Sequence, residues 1–303
     1  MARPAGGTLV GTSVAIIALA SISHLGCGGD AFSVASAPEG GAAEASVPVL
    51  DGAPADGSRG DGGLVDAGAG WCASHGTGHT FCEDFLTGVP DQLVEYAVNG
   101  AIAANTSDYE SPPQSMAASV PMLAKGASAI AFASHDLSKA TGTQFAVSAY
   151  FRGASCFPAN GPQSGNTASV LAFNFTDSNY QIVVAVSPTS VELIEITADA
   201  DGGNQKLQPQ SVQSTGLLDT WQDWTLSVDG SALLKTATLT VGNETLFDKV
   251  NLKNAPPIVA LQHPLVYLGL EVKNGGNDVW PACTIDVDDI LIDVHAVAVA
   301  GAN

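Results

Sequence analysis

The chain has 303 residues and a formal net charge of −20, because 30 Asp and Glu stand against 10 Lys and Arg. So acidic a chain has too few cations to release the counterions of a nucleic acid, which excludes non-specific nucleic-acid binding. Charged residues make up only 13% of the chain and no heptad repeat is present, which excludes a coiled coil. The length allows one large domain or two small ones.

The N-terminus has the features of an export signal. Arg3 is followed by an apolar stretch, residues 9–22, which is shorter than the about 20 residues that span a bilayer. The stretch ends in Ser-His-Leu-Gly-Cys, and this resembles the lipobox of bacterial lipoproteins, with Cys27 as the lipidated residue. The resemblance implies an exported cell-envelope protein, an outer-membrane lipoprotein that meets the membrane through its lipid anchor only. The alternative is an ordinary cleaved signal peptide, a secreted protein and an incidental cysteine.

Residues 28–70 are predicted to be a disordered linker. They are rich in Gly, Ala and Asp, with seven acidic residues against one basic residue. This composition cannot bury a core, and the repulsion between its charges extends the segment. We therefore divide the chain into a signal peptide (1–27), a linker (28–70) and one folded domain (71–303).

The cysteine count fits an exported protein. Lipidation of Cys27 leaves four cysteines, which permit three pairings. Disulfides persist in an oxidising compartment, and we expect Cys72–Cys82 as a local clip and Cys156–Cys283 as a link between distant segments.

A zinc site is the alternative for the first of these pairs. Cys72 and Cys82 flank His75 and His79, and all four are zinc-ligand types. The disulfide is the preferred interpretation, because this short span has no separate element to complete a tetrahedron and thiols pair in an oxidising compartment.

From Trp71 onward the sequence has the periodicity of β-strands. In residues 144–152 apolar side chains occupy every second position, and Tyr150 and Arg152 fall on the opposite face. Further alternating or apolar segments lie at 171–175, 182–186, 191–197, 224–228, 237–241, 266–272 and 284–294. Ten or more short strands separated by Gly, Asn, Asp and Pro predict an all-β, antiparallel sandwich.

The last of these segments changes phase. Its apolar residues share one parity up to Val287 and the other from Ile290 onward. Since alternate residues of a strand share a face, the change predicts a β-bulge at Asp288–Asp289.

Four short segments match the motifs of a known family. They are Phe-Cys-Glu-Asp-Phe at 81–85, the Ser-x3-Ser strand of 111–120, the Trp strand and turn of 220–230, and Ile-Asp-Val-Asp-Asp-Ile at 285–290. Together they resemble the concanavalin A-like lectin/glucanase jelly rolls, especially the laminin-G-like domains of bacterial surface lipoproteins. The resemblance spans nearly all of 71–303 and implies a jelly-roll β-sandwich. Such sandwiches host lectins, hydrolases and adhesion domains, so it implies function only loosely.

The resemblance also implies a structural calcium ion where the first and last strands meet. Calcium takes six to eight oxygen ligands. The candidate ligands are Glu83 and Asp84 near the start of the domain and Asp286, Asp288 and Asp289 near its end. The alternative is that these are unliganded surface acids.

Carbohydrate binding is the commonest non-catalytic task of this family. It uses aromatic rings for the apolar side of a sugar and Asn, Asp or Arg for the hydroxyls. The candidate ligand-binding residues are Tyr150, Arg152, Asn174, Tyr180 and Trp280. We expect Trp221 and Trp224 to fill the core instead.

No catalytic residue is assigned. A glycosidase needs two carboxylates about 5–9.5 Å apart across the scissile bond. Glu192 and Glu195 are three residues apart and point to opposite faces of a strand, whereas Asp286 and Asp288 share a face of a terminal strand. We therefore predict a non-catalytic protein that binds a glycan or cell-surface polymer. The alternatives are a glycoside hydrolase or polysaccharide lyase of the same fold, and a passive envelope or adhesion protein without a small ligand.

Overall fold

The structure is a computed structural model. It describes residues 70–140, 142–153, 156–157, 167–198, 204–206, 210–231, 234–253, 255, 264–274 and 279–295. The predicted signal peptide, the lipidation of Cys27 and the predicted linker lie outside the described residues, apart from Gly70 at the linker's end. Within the described ranges no helix has both the length and the apolar character needed to cross a membrane.

The described part of the chain consists mainly of β-strands. It also contains one short helix, α1 (Trp71–His75), and one 3₁₀ turn (Thr176–Ser178). In chain order the strands are β1 (Phe81–Glu83), β2 (Val94–Val98), β3 (Ala101–Asn105), β4 (Ser115–Val120), β5 (Ser128–Asp136), β6 (Gln144–Arg152), β7 (Ala168–Phe175), β8 (Tyr180–Val186), β9 (Ser190–Ala198), β10 (Asn204–Lys206), β11 (Gln210–Gln213), β12 (Gln222–Asp229), β13 (Thr236–Val241), β14 (Glu244–Asn251), β15 (Pro264–Lys273) and β16 (Cys283–His295). Every segment predicted from its apolar pattern lies within or across one of these strands.

The strands form two antiparallel sheets that make a jelly-roll sandwich. The first sheet has the order β14-β13-β12-β6-β16-β4-β3, with β1 also paired to β16. The second has the order β10-β9-β8-β7-β15-β5-β2, with β11 also paired to β9. From β4 to β7 successive strands alternate between the two sheets, with β4 and β6 in the first and β5 and β7 in the second. The last two strands of the chain then insert into the sheets, β15 between β5 and β7 and β16 between β4 and β6. The predicted fold class is therefore confirmed.

The core lies between the sheets because alternate side chains of each strand point inward. In β6 every second residue from Phe145 to Phe151 is buried, and the residues between them are half-buried. Phe145 meets Phe175 of the second sheet with ring centroids 5.6 Å apart. Trp224 of β12 is fully buried against Phe151, as predicted. Burial of each such side chain contributes about 1.5–3 kcal/mol to folding.

The first and last strands of the described domain meet. In the antiparallel pair of β1 and β16, Glu83 lies opposite Ile290. This juxtaposition brings both ends of the domain to one region of the first sheet, as the family resemblance implied.

The predicted β-bulge in β16 is confirmed. Asp288 lies opposite Tyr150 of β6, but the next pair joins Leu291 to Ser148, so β16 carries one extra residue. Asp289 takes up that residue with a φ of 48°, in the left-handed region that Asp tolerates better than most residues.

Both expected disulfides are present. Cys72–Cys82 closes a local loop, and Cys156–Cys283 joins residues 127 positions apart, after β6 and at the start of β16. The zinc alternative is removed, because neither sulfur of the first pair is free. Disulfides of this kind indicate an oxidising compartment outside the cytoplasm.

Candidate functional site

The outer face of the first sheet carries two of the predicted ligand residues. Tyr150 and Arg152 of β6 are half-buried and alternate with core residues, so both point away from the core as expected. Tyr150 lies between two carboxylate-bearing neighbours, Asp223 of β12 on one side and Asp288 of β16 on the other. Directly opposite residues of antiparallel strands share a face, so all three side chains point away from the core. Asp288 is nevertheless fully buried, so Tyr150 and Asp223 are the accessible members of the three.

Arg152 is held in place by a loop carboxylate. Its Nη1 donates a hydrogen bond of 2.5 Å to Oδ1 of Asp108, and the indole N–H of Trp221 donates one of 3.2 Å to the same oxygen. Both members of the ion pair keep about a third of their side-chain surface exposed, 38% for Arg152 and 30% for Asp108. We call the set Tyr150, Arg152, Asp108, Trp221 and Asp223 the Tyr150 face.

The loop that carries Asp108, residues 106–114, is fastened by the carboxylates of β16. Oδ2 of Asp288 accepts hydrogen bonds from the backbone N–H groups of Glu110 (2.9 Å) and Ser111 (3.0 Å). The hydroxyl of Ser111 donates to Oδ1 of Asp289 at 2.6 Å. The third carboxylate, Asp286, accepts at 2.8 Å from the side-chain amide of Asn105, just before the loop. We call Asp286, Asp288 and Asp289 the acidic seam.

Burial gives the acidic seam unusual protonation behaviour. It raises the pKa of Asp288 to about 7, although backbone N–H donors favour the ionised form. It raises the pKa of Asp289 to about 6, to which the nearby Asp84 and Glu110 also contribute. The pKa of Asp286 is raised mainly by burial as well.

The negative charge also acts on the Tyr150 face. The pKa of Tyr150 is raised, first by burial and then by the charges of Asp223, Glu110 and Asp289. Burial raises the pKa of Asp223 itself. The hydroxyl of Tyr150 therefore lies in a negative potential, which favours neutral or cationic groups beside the ring.

The five predicted calcium ligands lie near one another, but they do not surround a common point. Glu83 accepts from the backbone N–H of Phe85 at 2.7 Å, and Asp84 accepts from the backbone N–H of Cys72 at 3.0 Å. Among the described residues no group of three or more His, Cys, Asp or Glu side chains is arranged to hold a metal ion. The carboxylates of the acidic seam accept hydrogen bonds from protein groups instead. The calcium ion stays a prediction.

The other three predicted ligand residues lie away from the Tyr150 face. Asn174 of β7 is half-buried in the second sheet and shares a hydrogen bond with Tyr267. Tyr180 is 1% exposed, and its hydroxyl donates to Glu195 at 2.8 Å. Trp280 is also 1% exposed and packs against Phe157. The expectation for Tyr180 and Trp280 is corrected, because core packing covers both rings.

One tryptophan expected in the core belongs to the outer face instead. Trp221 is half-buried beside Arg152, whereas Trp224 fills the core. Trp221 lies one residue before β12, and the alternation of that strand, continued by one residue, indicates its direction. Residues three apart in an extended segment point to opposite faces, so Trp221 and Trp224 cannot both face the core. The same parity places Asp223 outward. Nothing in the sequence indicated Asp108, which reaches the face from a loop.

Among known proteins the chain has matches in structure but none in sequence. No protein-family model matches the chain, and no curated protein matches its sequence. Solved structures do match. LamAcat from Zobellia galactanivorans is 11% identical with a TM-score of 0.44, covering 73% of this chain and 99% of that chain. The endo-1,3-beta-glucanase from Streptomyces sioyaensis is 10% identical with a TM-score of 0.43, covering 72% and 96%.

A toxin domain also matches. The receptor binding domain of botulinum neurotoxin type G is 9% identical with a TM-score of 0.41, and 72% of this chain covers 48% of that chain. The present chain thus spans about half the length of that protein. The fold assignment rests on the strand pairing of the two sheets, and these likenesses do not identify a ligand.

Proposed function

We propose that this chain is an exported envelope protein that binds a glycan or a related surface polymer through the Tyr150 face, without cleaving it. The observation that carries the proposal is the arrangement of two half-buried rings, Tyr150 and Trp221, near the Arg152–Asp108 pair on the outer face of the first sheet. Aromatic rings bind the apolar side of a sugar, while carboxylates and a guanidinium bind its hydroxyls.

The polar groups of the face are oriented before any ligand arrives. Arg152 and Trp221 share Oδ1 of Asp108, and the loop that carries Asp108 is fastened to the acidic seam. Fixing these side chains in advance lowers the conformational entropy that binding would otherwise cost. A rigid, half-exposed polar surface of this kind favours the binding of a glycan.

Hydrolysis is the second candidate, and the contacts of the acidic seam argue against it. Asp288 has a pKa near 7, as a general acid would, but it is fully buried and both of its oxygens accept backbone hydrogen bonds. A substrate has no access to this carboxyl group, whereas a general acid must lie within hydrogen-bonding distance of the leaving oxygen.

The proposed location follows from the N-terminus. A lipid on Cys27 would anchor the chain in the outer membrane, and residues 28–70 would form a tether that lets the domain clear the surface. Mass spectrometry of the mature N-terminus tests this. A lipid-modified Cys27 supports the anchor, and an unmodified N-terminus beyond Cys27 would replace it with plain secretion.

The functional proposal is tested with the full chain on an array of neutral, amino and acidic oligosaccharides, with a reducing-sugar assay on the same compounds. Binding without sugar release supports the proposal, and release would replace it with the hydrolase. Silence in both assays leaves a passive envelope protein. The Tyr150→Ala variant should lose binding, whereas Tyr96→Ala, a half-buried tyrosine on β2 of the other sheet, should retain it.

A further inference from the structure

We infer that the Tyr150 face selects glycans that carry protonated amino groups, such as hexosamine polymers without their acetyl groups, over acidic glycans. The inference rests on the proposed function and specifies its ligand class. It follows from the charges near the two rings and from one carboxylate of the face, Asp223, that has no hydrogen-bond donor within the described ranges.

Carboxylates lie near the ring of Tyr150. Asp223 lies opposite Tyr150 in the sheet, and the charges of Glu110 and Asp289 also act on its hydroxyl. Asp288 is fully buried and does not reach a ligand. The cation of the face, Arg152, is already paired with Asp108. A uronate or sulfate on the rings would therefore meet like charges, whereas an ammonium group would meet opposite ones.

These charges act on the hydroxyl of Tyr150 itself. After burial, the causes that raise the pKa of Tyr150 are the charges of Asp223, Glu110 and Asp289. The same potential that disfavours a phenolate at the hydroxyl disfavours any anion placed there. It favours a cation by the same mechanism.

Asp223 supplies the specific contact. Its carboxylate is half-buried beside Tyr150, and no described residue donates a hydrogen bond to it. Within the acidic seam, Oδ2 of Asp289 is likewise buried without a donor. An ammonium group on the ligand would give Asp223 a charged donor, which none of the described residues provides. Charge-assisted hydrogen bonds are stronger than those between neutral groups.

The rings distinguish a sugar from a basic peptide. Tyr150 lies two residues before Arg152 on β6, and Trp221 shares Oδ1 of Asp108 with Arg152. Both rings offer flat apolar surfaces near the guanidinium, which suits the ring of a pyranose next to its amino group. A lysine side chain carries the same ammonium chemistry without a ring to stack. A peptide ligand is therefore an outcome of the test rather than part of the inference.

The test compares a matched pair of ligands with the full chain. Binding is measured for the pentasaccharide of N-acetylglucosamine and for the same pentasaccharide after removal of the acetyl groups, with oligogalacturonate as the acidic probe. We expect the amino form to bind about tenfold tighter in about 20 mM salt and this ratio to shrink in about 200 mM salt. Oligogalacturonate should be the weakest of the three.

Two variants separate a specific contact from general acidity. Asp223→Asn should remove most of the preference for the amino form. The control, Asp248→Asn on β14 at the edge of the first sheet, removes the same charge from an exposed position and should leave the preference intact. Equal losses in both variants would overturn the inference, because they would show attraction to the net charge alone.

The remaining outcomes are also decisive. Equal affinity for the two pentasaccharides, or tighter binding of the acidic one, would overturn the inference while leaving the proposed function in place. Binding of none of the three would count against both. Pentalysine binding as tightly as the amino sugar, with the same dependence on Asp223, would replace the glycan by a peptide. If Asp223→Asn does not fold, Glu110→Gln replaces it beside Asp248→Asn, because Glu110 is exposed and its charge also acts on the hydroxyl of Tyr150.

Discussion

Asp288, buried in the last strand, accepts a hydrogen bond of 3.0 Å from the backbone N–H of Ser111, 177 residues earlier in the chain. The same carboxylate accepts two further backbone hydrogen bonds, from Glu110 and Asp289. One buried side chain thus fastens the loop 106–114 that carries Asp108 to the Tyr150 face. The conformation of the face depends on a residue that a ligand does not touch.

The first prediction concerns this fastening. Asp288→Asn keeps the shape of the side chain but offers one acceptor oxygen where the protein presents three N–H donors. The variant should lose about 1–3 kcal/mol of unfolding free energy, since a buried donor would be left unpaired. Urea unfolding measures the loss, with the exposed Asp248→Asn as the control. Equal stability of Asp288→Asn and the wild type would show that the loop is held by other contacts.

The second prediction concerns Glu271 of β15, which is 7% exposed and has one oxygen without a hydrogen-bond donor. Burial raises its pKa from 4.5 to about 7. Between those pH values the folded chain holds a proton that the unfolded chain releases, so stability falls as pH rises through this window. The stabilising term is fully present below about 4.5 and is lost above about 7.

Glu271→Gln tests this sign. The variant removes the buried charge and should be more stable than the wild type at pH 8, by on the order of 2–3 kcal/mol. The difference should vanish near pH 4, where the wild-type carboxyl is protonated in both states. Melting temperatures at the two pH values measure it, and Glu244→Gln, exposed on β14, is the control. A wild type that is more stable than the variant at pH 8 would contradict the account.

The sequence predicted those parts of the fold in which one face of a strand is buried and the other is not. β6 showed this alternation along its whole length, and the change of phase in β16 revealed the bulge at Asp289. β2 and β3 gave no such signal, because these edge strands are mostly exposed on both faces. β8 is buried on both faces, so its run of apolar residues does not indicate which side chains point into the core.

The candidate site was predictable to the extent that strand parity determines direction. Parity placed Tyr150 and Arg152 outward, and it could have placed Trp221 there too. It could not show that Trp280 is buried, because that residue lies outside the named strands and is covered by tertiary packing. The role of Asp108 could not be predicted from the sequence for a different reason. It pairs with Arg152, 44 residues later in the chain, from a loop whose path depends on the acidic seam.

The third prediction compares the two disulfides. A longer closed loop removes more freedom from the unfolded chain, and Cys156–Cys283 closes 127 residues where Cys72–Cys82 closes ten. In the chain-entropy description the long link stabilises by about 4–5 kcal/mol and the short one by about 2–3. Replacing each pair by serine and measuring urea unfolding should reproduce that order. A larger loss for the short pair would be the contrary result.

The fourth prediction is the structural calcium ion implied by the family resemblance. If it binds where β1 meets β16, then EDTA should lower the melting temperature and added calcium should restore it. Asp84→Asn, which removes one candidate ligand, should then abolish the response to EDTA. A melting temperature that EDTA leaves unchanged would remove calcium from the account.

The central claim is that the Tyr150 face touches the ligand, and Trp221 allows this to be measured directly. Trp224 and Trp280 are fully buried, so quenching by acrylamide reports on the half-buried indoles, and comparison with Trp221→Phe isolates Trp221. The measurement uses the full chain with the oligosaccharide that binds most strongly on the array. We predict that the sugar protects Trp221, so that wild-type quenching falls to that of Trp221→Phe. Bound sugar with no change in the quenching of Trp221 would contradict the claim and place the site elsewhere on the sandwich.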